Sequence, residues 1–196
     1  MLHGQEATPE KVKALNAYLV TVADHGLNAS TFAARVIAST KAGMFSSVIG
    51  ALCALKGPLH GGAPGPVLDM LDAIGDEANS QTWLANALAN GQRLMGFGHR
   101  IYRVRDPRAD VLKKAVSALR EDGGRIAFAE AVEKTALELL AQKKPDRPLQ
   151  TNVEFYTALV LEAVGLPRES FTNVFAAGRM AGWTAHVLEQ ETVGKL

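Results

Sequence analysis

Apolar residues recur three and four positions apart along nearly the whole chain, the spacing of one face of a helix and not of a strand. Val12, Leu15, Leu19 and Val22 form the first such series, behind Thr8 as N-cap and Pro9 at the first helical position. The same periodicity predicts helices over residues 29 to about 41, 44–55, 67–74, 80–89, 107–120, 124–141, 151–164 and 173–189. Glycine, proline or charge breaks the pattern at 57–58, 64–66, 96–98, 123–124, 143–148 and 165–167. Only residues 99–104 read as a short extended piece. The pattern therefore predicts an all-α protein.

The segments 29–55 and 174–188 are so rich in alanine, glycine and other small or apolar residues that they must pack closely on several sides. Such helices belong to the middle of a larger body. Residues 143–148 read as a charged surface link, and no internal repeat or low-complexity tract interrupts the chain. With 196 residues, 47% hydrophobic and 21% charged, the composition is that of an ordinary globular protein. A formal net charge of +1, with basic and acidic residues interleaved, supplies no field to gather nucleic acid. Cys53 is the sole cysteine and lies in the apolar run 48–55, which predicts a buried, inert thiol and a reducing cytoplasmic setting. No apolar run approaches the roughly 18 residues of a membrane span, and the N-terminus lacks the pattern of a secretion signal.

Five loci carry candidate chemistry. Two histidines sit on separate glycine-rich turns, His60 in Gly-Pro-Leu-His-Gly-Gly-Ala and His99 in Gly-Phe-Gly-His. Glycine on both sides lets an imidazole meet a ligand without steric cover, although one loop histidine alone is more often solvated or capping. His25 stands in Asp-His-Gly-Leu-Asn between two helices, and Glu154 in Asn-Val-Glu at a helix start. A first-turn glutamate is also favoured by the helix dipole, whatever its function. Arg179, among Ala176, Ala177, Gly178, Met180, Ala181 and Gly182, calls for an anion. Arg100, Arg103, Arg105 and Arg108 follow His99 and favour anion binding, whereas Asp106 before Pro107 reads as a helix cap. His3 and His186 lack such framing and read as structural or exposed. One carboxylate, three loop histidines and at least two arginines suit a substrate with several carboxylates and proton removal next to a carbonyl. No paired Cys/His spacing suggests a metal, and no phosphate-binding glycine loop is present.

These motifs, with Gly-His99-Arg-Ile-Tyr-Arg-Val-Arg-Asp-Pro-Arg108, Asn-Val-Glu154-Phe-Tyr and Phe-Ala-Ala-Gly-Arg179-Met-Ala-Gly-Trp, resemble the signatures of citrate synthases over roughly residues 24–190. The resemblance implies condensation of acetyl-CoA with oxaloacetate and water to citrate and CoA, a tricarboxylic acid cycle acyltransfer with acetyl-CoA as co-substrate and no tightly bound cofactor. It implies that His60 holds the thioester oxygen, His99 polarises the keto carbonyl of oxaloacetate and Glu154 is the base. His25, Arg108 and Arg179 would grip oxaloacetate, while the residues that bind CoA stay unassigned. The implied fold is a small helical domain, 61–166, inserted between large-domain pieces 1–60 and 167–196, the two domains closing over the substrates. No nucleic acid, membrane or metal is expected. The expected partner is a second copy in a homodimer or a complementing polypeptide.

Two departures stand out. Well-known members carry Asp where this chain has Glu154, and the extra methylene moves the carboxylate by on the order of 1 Å, worth about a hundredfold in rate if nothing compensates. The family is also about twice as long, so the resemblance implies a C-terminal portion, short of a basic segment that supplies a further substrate arginine across the dimer interface. Within the family, 2-methylcitrate synthases, which use propionyl-CoA, and lyase modules acting on citryl-CoA share the signatures. A non-catalytic fragment or partner subunit is the alternative from outside enzymology.

Overall fold

The computed structural model describes residues 6–57, 60–62, 64–98, 106–119, 124–146 and 149–194. Among these residues the helices are α1 (Pro9–Val22), α2 (Ala29–Ser39), α3 (Gly43–Leu55), α4 (Pro64–Ile74), α5 (Glu77–Ala89), α6 (Pro107–Ser117), α7 (Arg125–Lys143), α8 (Val153–Val164) and α9 (Phe171–Val193). Their only strand-like pairing is a single antiparallel bridge between Phe97 and Thr151. The all-α expectation holds. The extended piece expected at 99–104 lies outside the described residues.

Helix starts have local causes. Asn28 accepts hydrogen bonds from the backbone N–H groups of Ser30 and Thr31, each at 3.1 Å, and so caps α2. Asp76, Asp106 and Asn152 cap α5, α6 and α8 in the same way, at 2.8, 3.0 and 2.9 Å. Residues 64–66, expected as a break, form the first turn of α4 instead. Proline is tolerated there because a first-turn N–H has no helical partner to lose.

By its contacts the chain divides into two compact units, Met1–Ala17 with Ala63–Arg168, and Tyr18–Gly62 with Glu169–Leu196. The expected borders fell after 60 and 166; the units divide after 62 and 168, and α1 starts in one unit and ends in the other. In the first unit α8 is central. It buries Val153, Phe155, Ala158, Leu159, Val160 and Leu161, so it is apolar all round, with α4 and α6 packed on it and α5 against α7.

In the second unit α2, α3 and α9 pack pairwise, and the end of α1 lies against α9. That approach needs glycine. A Cβ at Gly182 would stand 2.2 Å from the carbonyl oxygen of Ala23, and one at Gly178 would stand 2.7 Å from Val22 Cγ2. The buried face of α1 is Ala14, Tyr18 and Val22, while Val12 from the predicted stripe is exposed. Cys53 is exposed too, contrary to expectation. Helix α3 is apolar on both sides, and its inward face is Ser47, Ala51 and Leu55, which leaves Phe45, Ile49, Leu52 and Cys53 outward.

Gly182→Ala sets a gain in helix propensity of at most about 1 kcal/mol against a backbone collision. It should destabilise by about 1–3 kcal/mol in denaturant melts, because overpacking against backbone outweighs propensity. Gly65→Ala in α4 meets nothing within 4 Å and should be neutral or slightly stabilising in the same assay.

Candidate active site

In the second unit the cap on α2 sets out a chain of polar contacts. Asn28 fixes the first turn, and Ser30 there is fully buried. Its Oγ lies 2.8 Å from Asn28 Oδ1, 3.1 Å from the Trp183 indole N–H that donates to it, and 2.9 Å from His60 Nε2. One hydroxyl thus joins the turn carrying His60 to α2 and α9. Arg179 is 0% exposed. Its Nε donates to the Val22 carbonyl at 2.6 Å, and its guanidinium lies 4.9 Å from the centre of the Phe175 ring, which stands edge-to-face with the His60 imidazole at 6.2 Å between ring centres. Burial, and then the positive charge of Arg179, hold His60 below the ordinary value of 6.5. His60 is therefore a neutral imidazole at neutral pH, able to polarise an oxygen without carrying charge.

His25 is half-buried in the loop after α1. Asp24 beside it has a lowered pKa: burial alone would raise it, but backbone N–H groups of Gly26 and His25 and the His186 imidazole favour the carboxylate. His186 Nε2 lies 3.0 Å from Asp24 Oδ1, and Arg35 meets Nδ1 at 3.3 Å and pairs with Glu189. With Arg35 donating to Nδ1, the other ring nitrogen donates to Asp24. This supports the structural reading of His186, as a tie between α9 and the loop bearing His25. Asp24, His186 and Glu189 border an open groove of about 460 Å³.

In the first unit Glu154 is half-buried in the first turn of α8. The Asn152 side chain accepts from the Glu154 N–H at 2.9 Å and donates to the Gly98 carbonyl at 2.8 Å. Around the Phe97–Thr151 bridge, Gly98 N–H donates to Gln150 at 2.7 Å and Asn152 N–H to Gly96 at 2.9 Å. Gly96 requires glycine: its φ is +84°, and a Cβ would stand 2.8 Å from Phe155 Cβ. The glycine turn that leads to position 99 is thereby fastened to the residues around Glu154. His99 itself, with Arg100, Arg103 and Arg105, lies outside the described residues. Asp106 caps α6 as expected and also takes the Arg108 guanidinium in a fork, at 3.0 and 2.8 Å. Among the described residues no three His, Cys, Asp or Glu side chains form a metal-binding group, and no helix is long and apolar enough to cross a membrane.

The whole chain, residues 1–196, matches the family model described as citrate synthase, C-terminal domain. The chain belongs to the citrate synthase family. It is 42% identical over 189 residues to citrate synthase 2 of Bacillus subtilis, covering 96% of this chain and 50% of that one. A solved ternary complex of carboxymethyl coenzyme A and oxaloacetate with citrate synthase from Thermoplasma acidophilum superimposes with a TM-score of 0.86 at 34% identity, covering 95% of this chain and 50% of that one. A citryl-CoA lyase from Hydrogenobacter thermophilus gives a TM-score of 0.80 at 28% identity, over 97% and 73% of the two chains. The chain spans about half the length of the curated citrate synthases it matches. Within the chain His25, His60 and Arg179 fall in one compact unit, and Arg108 and Glu154 in the other.

Sequence reading missed Ser30 and Trp183, and also Glu133 of α7, which accepts hydrogen bonds from Thr151 and Tyr156 beside Glu154; all these contacts are long-range. Asn152 carried a signal, as the first residue of the Asn-Val-Glu motif and a type that favours helix starts. The His60 imidazole should titrate below 6.5 in an NMR pH series, and Arg179→Leu should let it rise part of the way back. Because folding favours the neutral ring, the stability associated with it is complete above 6.5 and is lost as pH falls through the lowered value.

Proposed function

We propose that this chain carries out, within a citrate synthase assembly, the condensation of acetyl-CoA with oxaloacetate to give citrate and CoA. The observation that carries this reading is His60, kept neutral by burial and by Arg179 and held on Ser30. Enolisation of a thioester needs a base and an uncharged donor at the developing enolate oxygen. The Glu154 carboxylate removes a proton from the acetyl methyl, His60 steadies the enol oxygen, and the new carbanion attacks the keto carbon polarised by His99. Water then cleaves the citryl thioester and releases CoA. His25, Arg108 and Arg179 hold the carboxylates and keto group of oxaloacetate, the ligand named for the Thermoplasma complex. The acyl-CoA is a co-substrate, and no other cofactor enters. A cytoplasmic setting suits the one unpaired cysteine.

The outward apolar face of α3, with Phe45 86% and Ile49 60% exposed, supports an assembly in which another citrate synthase polypeptide covers it. That polypeptide is a second copy or one supplying the half of the relatives' length that this chain does not span. Solution mass of the chain, alone and with the complementing polypeptide, should show association, and a strictly monomeric chain in both would overturn this assembly.

The likeness to the citryl-CoA lyase favours one second reading, thioester cleavage in reverse. Assays with acetyl-CoA plus oxaloacetate, propionyl-CoA plus oxaloacetate, and citryl-CoA separate the reactions. Free CoA is expected chiefly from the first pair, and chiefly once the complementing polypeptide is present; no CoA from any arm would favour a non-catalytic subunit.

His60→Ala should lower turnover by about a hundredfold or more and leave oxaloacetate affinity nearly intact. Equal losses in both would mark His60 as structural. Arg179→Leu should instead weaken oxaloacetate binding in calorimetry by about 2–5 kcal/mol, the scale for losing a buried charge partner. Glu154→Gln should abolish turnover, whereas Glu154→Asp should keep or raise it.

A further inference from the structure

Helix α7 buries Ile126, Ala129, Val132, Ala136 and Leu140 along one face, and in the middle of that face stands a carboxylate, Glu133, only 4% exposed. Its oxygens accept from Thr151 Oγ1 at 2.6 Å, from the Tyr156 hydroxyl at 2.5 Å and from Lys113 Nζ at 3.0 Å. Thr151 and Tyr156 are themselves 1% and 0% exposed. Burial alone would raise the pKa of Glu133, but the hydrogen bonds from Thr151, Tyr156 and Lys113 lower it, so the carboxylate is charged.

A buried ion pair is a poor device for stability, since a well-packed apolar residue of similar volume usually does as well or better. What it supplies is direction. Two of the three donors lie on either side of Asn152-Val153-Glu154: Thr151 directly before it and Tyr156 two residues after. Thr151 is also the residue bridged to Phe97, and the flanking hydrogen bonds run from Gly98 to Gln150 and from Asn152 to Gly96. The one carboxylate therefore fixes, through Thr151, both the start of α8 and the glycine turn before position 99.

We propose that Glu133 is a positioning residue for Glu154, holding the first turn of α8 and its bridge to the 96–98 turn in register through Thr151 and Tyr156. This rests on Glu154 being the base. Glu133 touches no reacting atom; it acts by fixing the backbone on which Glu154 stands, where a displacement of about 1 Å is worth on the order of a hundredfold.

Two measurements test the proposal, one free of any assumption about the reaction. In the 196-residue chain, amide exchange at Gly98, Asn152 and Glu154 is compared with that at Leu159, deep in α8. Glu133→Gln keeps the shape but replaces one acceptor oxygen with an amide that faces donors. Thr151→Val deletes only the hydroxyl, and Thr151→Ser restores it. Exchange at the three turn amides should quicken about tenfold or more in Glu133→Gln and Thr151→Val, with Leu159 unchanged and Thr151→Ser close to the parent. In the form that condenses acetyl-CoA with oxaloacetate, the same two variants should lose ten- to a hundredfold in kcat with KM for both substrates within about twofold. Parent-like exchange in Glu133→Gln overturns the positioning role even if kcat falls. Faster exchange with parental kcat overturns the role of Glu133 in the reaction, whereas parental turnover in Glu154→Gln overturns Glu154 as the base on which the proposal rests.

Discussion

The second unit depends on how closely α9 can approach the end of α1. A side chain at Gly182 would run into the Ala23 carbonyl, and only its absence lets the two backbones meet. Everything polar nearby is scaled to that distance. Arg179, one turn before Gly182, is near enough for its Nε to reach the Val22 carbonyl, and Trp183, one residue after it, reaches Ser30. Ser30 in turn holds His60. A small residue in a helix thus decides the surroundings of an imidazole far away in sequence, and close packing transmits such constraints because the interior has no slack.

The first unit solves a different problem. An acid at the start of a helix is easily frayed, since the first turn lacks intrahelical acceptors for its N–H groups. Here Asn152 satisfies the Glu154 N–H and simultaneously donates to the Gly98 carbonyl, so cap and turn share one side chain. The Phe97–Thr151 bridge adds backbone hydrogen bonds on either side, and Glu133 fastens Thr151 from below. Phe97 packs against Phe155 at 5.4 Å between ring centres, and both bridged residues, Phe97 and Thr151, are buried. Burial then strengthens each of these hydrogen bonds, and it is also what makes an unmet one costly.

The two units treat their charged groups in different ways. Arg108 forms a fork with Asp106, the cap of its own helix, and Arg179 lies over the Phe175 ring and donates to the Val22 carbonyl. Its field is felt by His60, which it helps keep neutral. On the surface of the first unit, Arg125 and Arg168 share Asp72 and Glu162 in a network. Exposed pairs of this kind contribute little singly and more when linked. They belong to the scaffold and lie apart from the candidate chemistry.

Most helices were legible in the chain because helical periodicity and caps are local properties: Thr8 with Pro9 and Asp106 with Pro107 mark starts that the structure keeps. The motifs around His25, His60, Glu154 and Arg179 were legible too, since glycine framing and a charge among small residues leave a mark in sequence. What only the tertiary structure decided was which face of a helix meets the core and which distant group meets which. Helix α3 is apolar on both sides, so periodicity could not say that Cys53 would be outward and Ser47 inward. Glu133 looks like any glutamate of a charged helix until Thr151 and Tyr156 are brought to it, and Ser30 looks like a filler residue until Trp183 and His60 converge on it. Local conformation is set by neighbours along the chain. The partners of a buried polar group are set by packing, because only the folded chain brings together donors and acceptors that sequence keeps far apart.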